Sequence, residues 1–157
     1  MVRIRYFQSD DFKRVVEIAE EGELNQDPMI YLELSKLFPD GFFVAEDRGV
    51  IVAFVISIMM LDGGGRIFAV AVSKRHRRRK IGIKILNHAF EAFRRKKIPY
   101  VQLEVRVDNF AAQQIYEKLG FQEVGIIPAY YADGTDASLM KKDLKQSFQP
   151  HTSGMYV

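Results

Sequence analysis

Val70-Ala71-Val72-Ser73-Lys74-Arg75-His76-Arg77-Arg78-Arg79-Lys80-Ile81-Gly82-Ile83 runs from an apolar strand through a basic turn into an amphipathic helix. The helix is legible in Ile81, Ile85, Leu86, Ala89 and Phe93, apolar at spacings of three and four, with Lys84, Glu91, Arg94 and Arg95 between them. Residues 75–80 are six consecutive basic side chains placed where that helix begins. A helix start already presents unpaired N–H groups and the positive end of a dipole, so charge and backbone favour the same anion. The stretch reads as a site for a phosphorylated ligand. A basic run is as often a solvated face, so the reading needs support from the rest of the chain.

Upstream, residues 67–72 form the strand, behind the turn Asp62-Gly63-Gly64-Gly65. Those glycines are no dinucleotide fingerprint, because no helix follows them. Residues 42–46 and 50–60 read as strands around Asp47-Arg48-Gly49, the second apolar on both faces and therefore central. Residues 1–7 read as a strand. Ser9 or Asp10 then caps a helix with the stripe Phe12, Val15, Val16 and Ala19, and Gly22 stops it. Asp27-Pro28 restarts helix, with Ile30, Tyr31, Leu34 and Phe38 on its stripe.

Downstream, Val101, Leu103, Val105 and Val107 alternate with Gln102, Glu104 and Arg106, a period of two that makes a strand with Glu104 opposite the aliphatic set. Asp108-Asn109 caps a short helix carrying Ala112, Ile115, Tyr116 and Leu119, with Gly120 as its left-handed stop. Residues 121–127 and 138–142 are the last strands, around Asp133-Gly134. The order β-α-α-β-β-β-α-β-α-β-β predicts an α/β (α+β) domain over residues 1–144 with a mixed, mostly antiparallel sheet, followed by a polar tail at 145–157.

With 157 residues, 48% hydrophobic and 27% charged, the chain suits one domain with a buried core. Its net charge is only +3, so the basicity is clustered, at residues 75–80 and 94–97. Clustered charge points to a local anionic partner rather than to general polyanion binding. The absence of cysteine excludes disulfides, Cys-ligated zinc and a Cys nucleophile; no His, Asp or Glu group has metal-ligand spacing, so no metal is expected. A start without a signal-like apolar core, and no membrane-length apolar run, give the expectation of a cytoplasmic protein with no membrane partner.

A ligand of a mixed sheet sits beside the end of a strand that feeds a helix. Glu104, Asn109 and Tyr116 follow the basic turn on the next strand and helix. Taken alone, a solvent-facing Glu104, a capping Asn109 and a core Tyr116 are the simpler readings. Residues 72–82, Leu103-Glu104-Val105-Arg106, Asn109, Tyr116-Glu117-Lys118-Leu119-Gly120-Phe121 and Tyr130-Tyr131-Ala132-Asp133-Gly134, in that order, resemble the GNAT superfamily of N-acetyltransferases. The resemblance spans residues 2–144 and is closest to the N-terminal acetyltransferase branch, which includes ribosomal-protein alanine acetyltransferases and archaeal N-terminal acetyltransferases.

The resemblance implies a GNAT-like sheet with helices on both faces and acetyl-CoA as cofactor. Main-chain groups of Val70, Ala71 and Val72 would pair with the pantetheine arm, the run of Arg78, Arg79, Lys80, Ile81, Gly82 and Ile83 would hold the pyrophosphate, and Arg77 would also belong to the cofactor-binding set. Asn109 would contact the cofactor arm, Glu104 would be the general base, and Tyr116, near the sulfur, the general acid. Leu24, Asn25, Gln26 and Asp27, with Tyr130 and Tyr131, would fold over a protein or peptide N-terminus. An α-amine of pKa ~8 is about one-tenth neutral at pH 7, a cost of roughly 1.4 kcal/mol, whereas a lysine amine of pKa ~10.4 costs about 4.6 kcal/mol. A glutamate working through a water suffices for the first. An N–H at the end of the 70–72 strand would meet the oxyanion.

Two departures from the family pattern stand out. Arg/Gln-x-x-Gly-x-Gly/Ala appears as Arg77-Arg78-Arg79-Lys80-Ile81-Gly82, so Lys80 occupies the first glycine. Leu24-Asn25-Gln26-Asp27 replaces a Leu-Pro-Glu-Asn type loop, which leaves peptide preference open. The alternatives carried forward are acetylation of a lysine or small-molecule amine and, in another class, a basic RNA- or ribosome-binding module, with ribosome association also an expectation for the enzyme. No base-stacking aromatic surface is evident beside the arginines. The sequence sets no oligomeric state.

Overall fold

A computed structural model describes residues 1–145, so the expected tail lies outside the described residues except for Lys145. The elements are β1 (Val2–Tyr6), α1 (Phe12–Glu21), α2 (Met29–Leu37), β2 (Phe42–Asp47), β3 (Val50–Met59), β4 (Gly65–Val72), α3 (Ile81–Arg95), β5 (Tyr100–Arg106), α4 (Phe110–Lys118), β6 (Gln122–Ile127) and β7 (Ala137–Asp143). Their order is the one that periodicity and turn residues predict. All seven strands join one sheet, in the order β1-β2-β3-β4-β5-β7-β6. Every pairing is antiparallel except that of β4 with β5. Strand β3 is third in the sheet and buried along most of its length, as its two apolar faces require.

The helices cover both faces. Ile81, Ile85, Leu86, Ala89, Phe90 and Phe93 of α3 pack with Val55, Leu103 and Val105 on one side, joined by Tyr116 and Leu119 at the end of α4. Val15 and Ile18 of α1 and Tyr31 and Leu34 of α2 pack with Phe42, Val44, Phe54 and Ile56 on the other. Burying these two apolar stripes is the main stabilisation of the fold.

The first helix start differs from expectation. Ser9–Asp11 form a 3-10 turn, and the reciprocal cap is made by Gln8 and Asp11. The Gln8 N–H donates to Asp11 Oδ2 at 2.9 Å, and Arg5 grips both oxygens of the same carboxylate at 2.8 and 3.0 Å. A carboxylate that closes the turn and pairs with Arg5 satisfies more groups than Ser9 or Asp10 would. Burial pushes the Asp11 carboxyl up, and the Arg5 and Gln8 hydrogen bonds more than offset it, so it titrates below the usual carboxylate range. Its stabilisation is therefore complete above pH ~4 and is lost as pH falls through the lowered value. Asp11→Asn should cost about 2 kcal/mol at pH 7. Denaturant unfolding should show the gap between variant and wild type narrowing as pH falls below ~4; a gap independent of pH would contradict this.

The β3–β4 register slips between Ile56↔Ala69 and Ser57↔Ile67, which leaves Phe68 as an extra residue on β4. Phe68 and Ala69 both pack toward α1 and α2, while Ile67 and Val70 face α3. This bulge bends β4 at the point where it leaves β5.

Candidate active site

Strands β4 and β5 are joined only through Gly65↔Val101 and Arg66↔Gln102. Beyond that point β4 continues against β3 and β5 against β7, so the two strands diverge. The β4 edge over residues 67–72 faces the resulting gap with no strand partner, and an extended ligand arm can add there as a strand would. Val70, Ala71 and Val72 lie on that edge. The ideal Cβ position of Gly22 lies 3.4 Å from Ala71 Cβ, so the loop between α1 and α2 begins beside the same strand end.

The basic run divides by task. Lys74–His76 form a 3-10 turn. Arg77 donates from Nε to Val72 O at 3.1 Å and from Nη2 to Glu21 O at 3.2 Å, so its guanidinium ties the end of α1 to the end of β4. Arg78, Arg79 and Lys80 follow, all exposed. The first N–H here to find a main-chain acceptor is that of Lys84, donating to Lys80 O at 3.1 Å. The N–H groups of Ile81, Gly82 and Ile83 are thus the open donors of the α3 start. A Cβ on Gly82 would meet only Val72 Cγ2, at 3.4 Å, so the protein itself leaves the space above Gly82 clear. Open donors, a bare glycine and adjacent arginines fit a pyrophosphate.

Lys80 precedes α3 with φ 60° and ψ 21°, in the left-handed region. The backbone conformation, beyond any close approach of a ligand, therefore explains why a glycine suits this position. Lys80→Gly should raise the unfolding free energy by about 0.5–1 kcal/mol, the left-handed strain relieved less the greater freedom of glycine in the unfolded chain. Its affinity for acetyl-CoA should change less than about tenfold, the worth of one exposed charge. Denaturant melts and calorimetry check both; an unmodified protein that does not bind acetyl-CoA would contradict the assignment of this loop.

At the neck of the gap, Glu104 lies on the β5 face opposite Leu103 and Val105, toward the side of α1 and α2 as its parity predicts. Arg66, missed in the sequence reading, is its partner: Nε and Nη2 both donate to Glu104 Oε1, at 3.0 and 2.7 Å. Arg66 Nη2 also donates to the Tyr130 hydroxyl at 3.1 Å. The only sequence signal was a single charge heading an otherwise apolar strand.

Tyr116 stands on α4 with its ring edge-on to Phe121, centroids 5.7 Å apart. Burial, and then the proximity of Tyr131, push its hydroxyl up to about 12. Tyr131 is also pushed up to about 12, by burial first and then by Tyr130 and Glu104. Tyr130 packs edge-on to Tyr131, centroids 5.0 Å apart. The loop carrying both tyrosines is held by Arg106, which donates to Asp133 Oδ2 at 2.8 Å and Thr135 Oγ1 at 2.9 Å and lies 5.0 Å from the Tyr131 ring centre. Arg106 thus links the Leu-Glu-Val-Arg and Tyr-Tyr-Ala-Asp-Gly stretches physically.

The remaining expected residues are partly committed elsewhere. Asn109 Oδ1 accepts from the Ala112 N–H at 3.1 Å as the α4 cap, which leaves its Nδ2 for a ligand. Gln26 Oε1 accepts from the Tyr31 hydroxyl at 2.9 Å, and Asp27 Oδ1 from the Met29 N–H at 3.0 Å. Leu24 packs against the core under α1 and α2, and Asn25 is exposed.

The model of the acetyltransferase (GNAT) family matches residues 3–121. The chain belongs to the GNAT acetyltransferase family. It is an N-acetyltransferase, an acyl-transferring enzyme with the family's mixed sheet. This GNAT enzyme is 36% identical over 144 residues to an uncharacterized N-acetyltransferase of Methanocaldococcus jannaschii, covering 88% of this chain and 90% of that one. It is 32% identical over 155 residues to an N-alpha-acetyltransferase of Sulfurisphaera tokodaii, covering 90% and 93%. The crystal structure of Ard1 from Thermoplasma volcanium superposes with a TM-score of 0.87 at 29% identity, covering 92% of this chain and 99% of that one. No helix among the described residues of this GNAT enzyme is long and apolar enough to cross a membrane.

Proposed function

We propose that this N-acetyltransferase moves the acetyl group of acetyl-CoA to the α-amine of a protein or peptide N-terminus. The observation that carries the reading is the Glu104 carboxylate, held by Arg66 at the neck of the β4–β5 gap and bordered by Tyr130. The name of the Sulfurisphaera relative supports the same acceptor. Acetyl-CoA is the cofactor and supplies an activated thioester. Val70, Ala71 and Val72 offer their free main-chain edge to its arm. Arg78, Arg79 and Lys80 and the N–H groups of Ile81, Gly82 and Ile83 receive its phosphates, with Arg77 bracing the loop. Asn109 Nδ2 donates to the arm.

Glu104 takes the proton that the attacking amine sheds, directly or through a water. Tyr116, with its hydroxyl raised to about 12, stays protonated at neutral pH and holds the proton for the departing sulfur. Tyr130 and Tyr131, with Leu24, Asn25, Gln26 and Asp27 on the opposite loop, line the approach of the peptide. The substrate is then a cytoplasmic protein terminus, with ribosome association a route by which nascent chains are met.

The pH dependence of kcat/KM tests the acceptor. With a peptide carrying both a free terminus and a lysine, the rate should rise to about pH 8 and level off, as an α-amine titrates. Tyr116 and Tyr131 at about 12 put no descending limb below pH 10. A rate still rising tenfold per unit at pH 9.5 would assign the reaction to lysine instead.

A further inference from the structure

The turn between β4 and α3 cannot hold its shape by itself. Residues 75–80 are all basic, so like charges crowd together, and Arg78 and Lys80 both stand in the left-handed region, at φ 69° and 60°. Backbone strain of this kind persists only where the surroundings enforce it. Here the last residue of α1, Glu21, supplies the constraint. Its Oε1 accepts from the Lys74 N–H at 2.9 Å, and its main-chain oxygen accepts from Arg77 Nη2 at 3.2 Å. One residue thus grips the turn at two places. Arg77 extends the grip to β4 through Val72 O, at 3.1 Å. From the same helix, Arg14 Nη2 donates to the Oγ of buried Ser73 at 3.2 Å, and Arg14 Nη1 lies 4.0 Å from Glu21 Oε2. The Lys74 N–H lowers the Glu21 carboxyl, burial partly offsets this, and the charges of Arg14, Arg77 and Lys74 lower it further, so it is ionised at neutral pH.

Resting on the reading of residues 78–83 as the pyrophosphate cradle, we propose that Glu21 is a positioning residue for acetyl-CoA. Its carboxylate serves no phosphate directly, because the two would repel. It fixes Lys74 and Arg77, and with them the path of the backbone that presents Arg78, Arg79 and the N–H groups of Ile81, Gly82 and Ile83. The sign of the effect is diagnostic. Acetyl-CoA carries several negative charges, so an acidic side chain acting by charge alone would weaken binding, and its deletion would tighten it. Deletion of a group that preorganises the cradle weakens binding instead.

The test uses the full chain and titration calorimetry with two ligands: acetyl-CoA, and S-acetylpantetheine, which lacks the pyrophosphate and the nucleotide and is measured by displacement. Glu21→Ala should weaken acetyl-CoA at least about fivefold, the worth of one hydrogen bond passed on in part to the ligand, and S-acetylpantetheine less than about twofold. Acetyl-CoA bound as tightly as by wild type, or more tightly, overturns the proposal. A general loosening of the fold would weaken both ligands alike, so equal losses overturn it too. Glu21→Gln keeps an oxygen for the Lys74 N–H and should bind acetyl-CoA at least about twofold more tightly than Glu21→Ala; a glutamine variant as weak as the alanine one overturns the assignment. If Glu21→Ala does not fold by circular dichroism, Glu21→Asp carries the test. It keeps the charge but withdraws the carboxylate by one methylene, and should weaken acetyl-CoA at least about threefold; an unchanged affinity overturns the proposal. Failure of the underlying reading shows separately, as wild type binding the two ligands equally tightly.

Discussion

Glu104→Gln should lower kcat for peptide acetylation by about 100- to 1,000-fold, the usual worth of a general base, while the Kd for acetyl-CoA stays within about threefold. Glutamine keeps the shape of the side chain, and its carbonyl still accepts from Arg66, so β4 and β5 remain joined at their neck. It cannot take a proton from the attacking amine. The proposed cofactor contacts lie farther along β4 and at the start of α3, which is why binding and turnover should separate. Steady-state kinetics with calorimetry in parallel check the split; full turnover in the variant would remove Glu104 from the chemistry.

Phe54→Ala should cost about 3–5 kcal/mol of stability, the range for deleting a fully buried aromatic side chain. Phe54 has no exposed surface, and its ring lies 5.9 Å from that of Tyr31 and 6.3 Å from that of Phe42. It joins α2 to the middle of the sheet, and the α1–α2 loop that borders the site depends on that packing. Denaturant unfolding measures the loss, which is a large share of the net stability of a domain this size. A cost below 1 kcal/mol would mean that the two helices are held by something other than this apolar face.

Most of the element order was legible because its signals are local. The 3.6-residue stripe of α3, the two-residue alternation of β5, and Gly120 at φ 100° each speak for a few neighbours and need no knowledge of the rest. Strand partners are a different matter. Nothing in residues 137–143 says that they insert between β5 and β6, because pairing is decided by long-range burial rather than by local pattern. The bulge at Phe68 was hidden for a related reason: Ile67, Phe68 and Ala69 are all apolar, so a slip of one residue leaves no trace in the alternation.

The site shows the same division. Glu104 could be placed on its face by parity, and the open N–H groups of the α3 start follow from the helix itself. Arg77, expected among the cofactor-binding residues, turns its guanidinium inward and braces α1 against β4. At Lys80 the left-handed backbone explains why glycine suits the position, and lysine occupies it under strain. Arg66 was missed because the partner that gives it meaning lies 38 positions away on another strand. Arg106 was quoted as part of a motif, and its link to Asp133 across the tyrosine loop emerged only in three dimensions.

The most direct test of the central claim is tandem mass spectrometry of a peptide mixture incubated with the protein and isotopically labelled acetyl-CoA. Each peptide carries a free terminus and an internal lysine. The label should be found on the α-amine, and its appearance should be lost with Glu104→Gln. Label on lysine side chains in preference to termini, or no label transferred at all, would contradict the account.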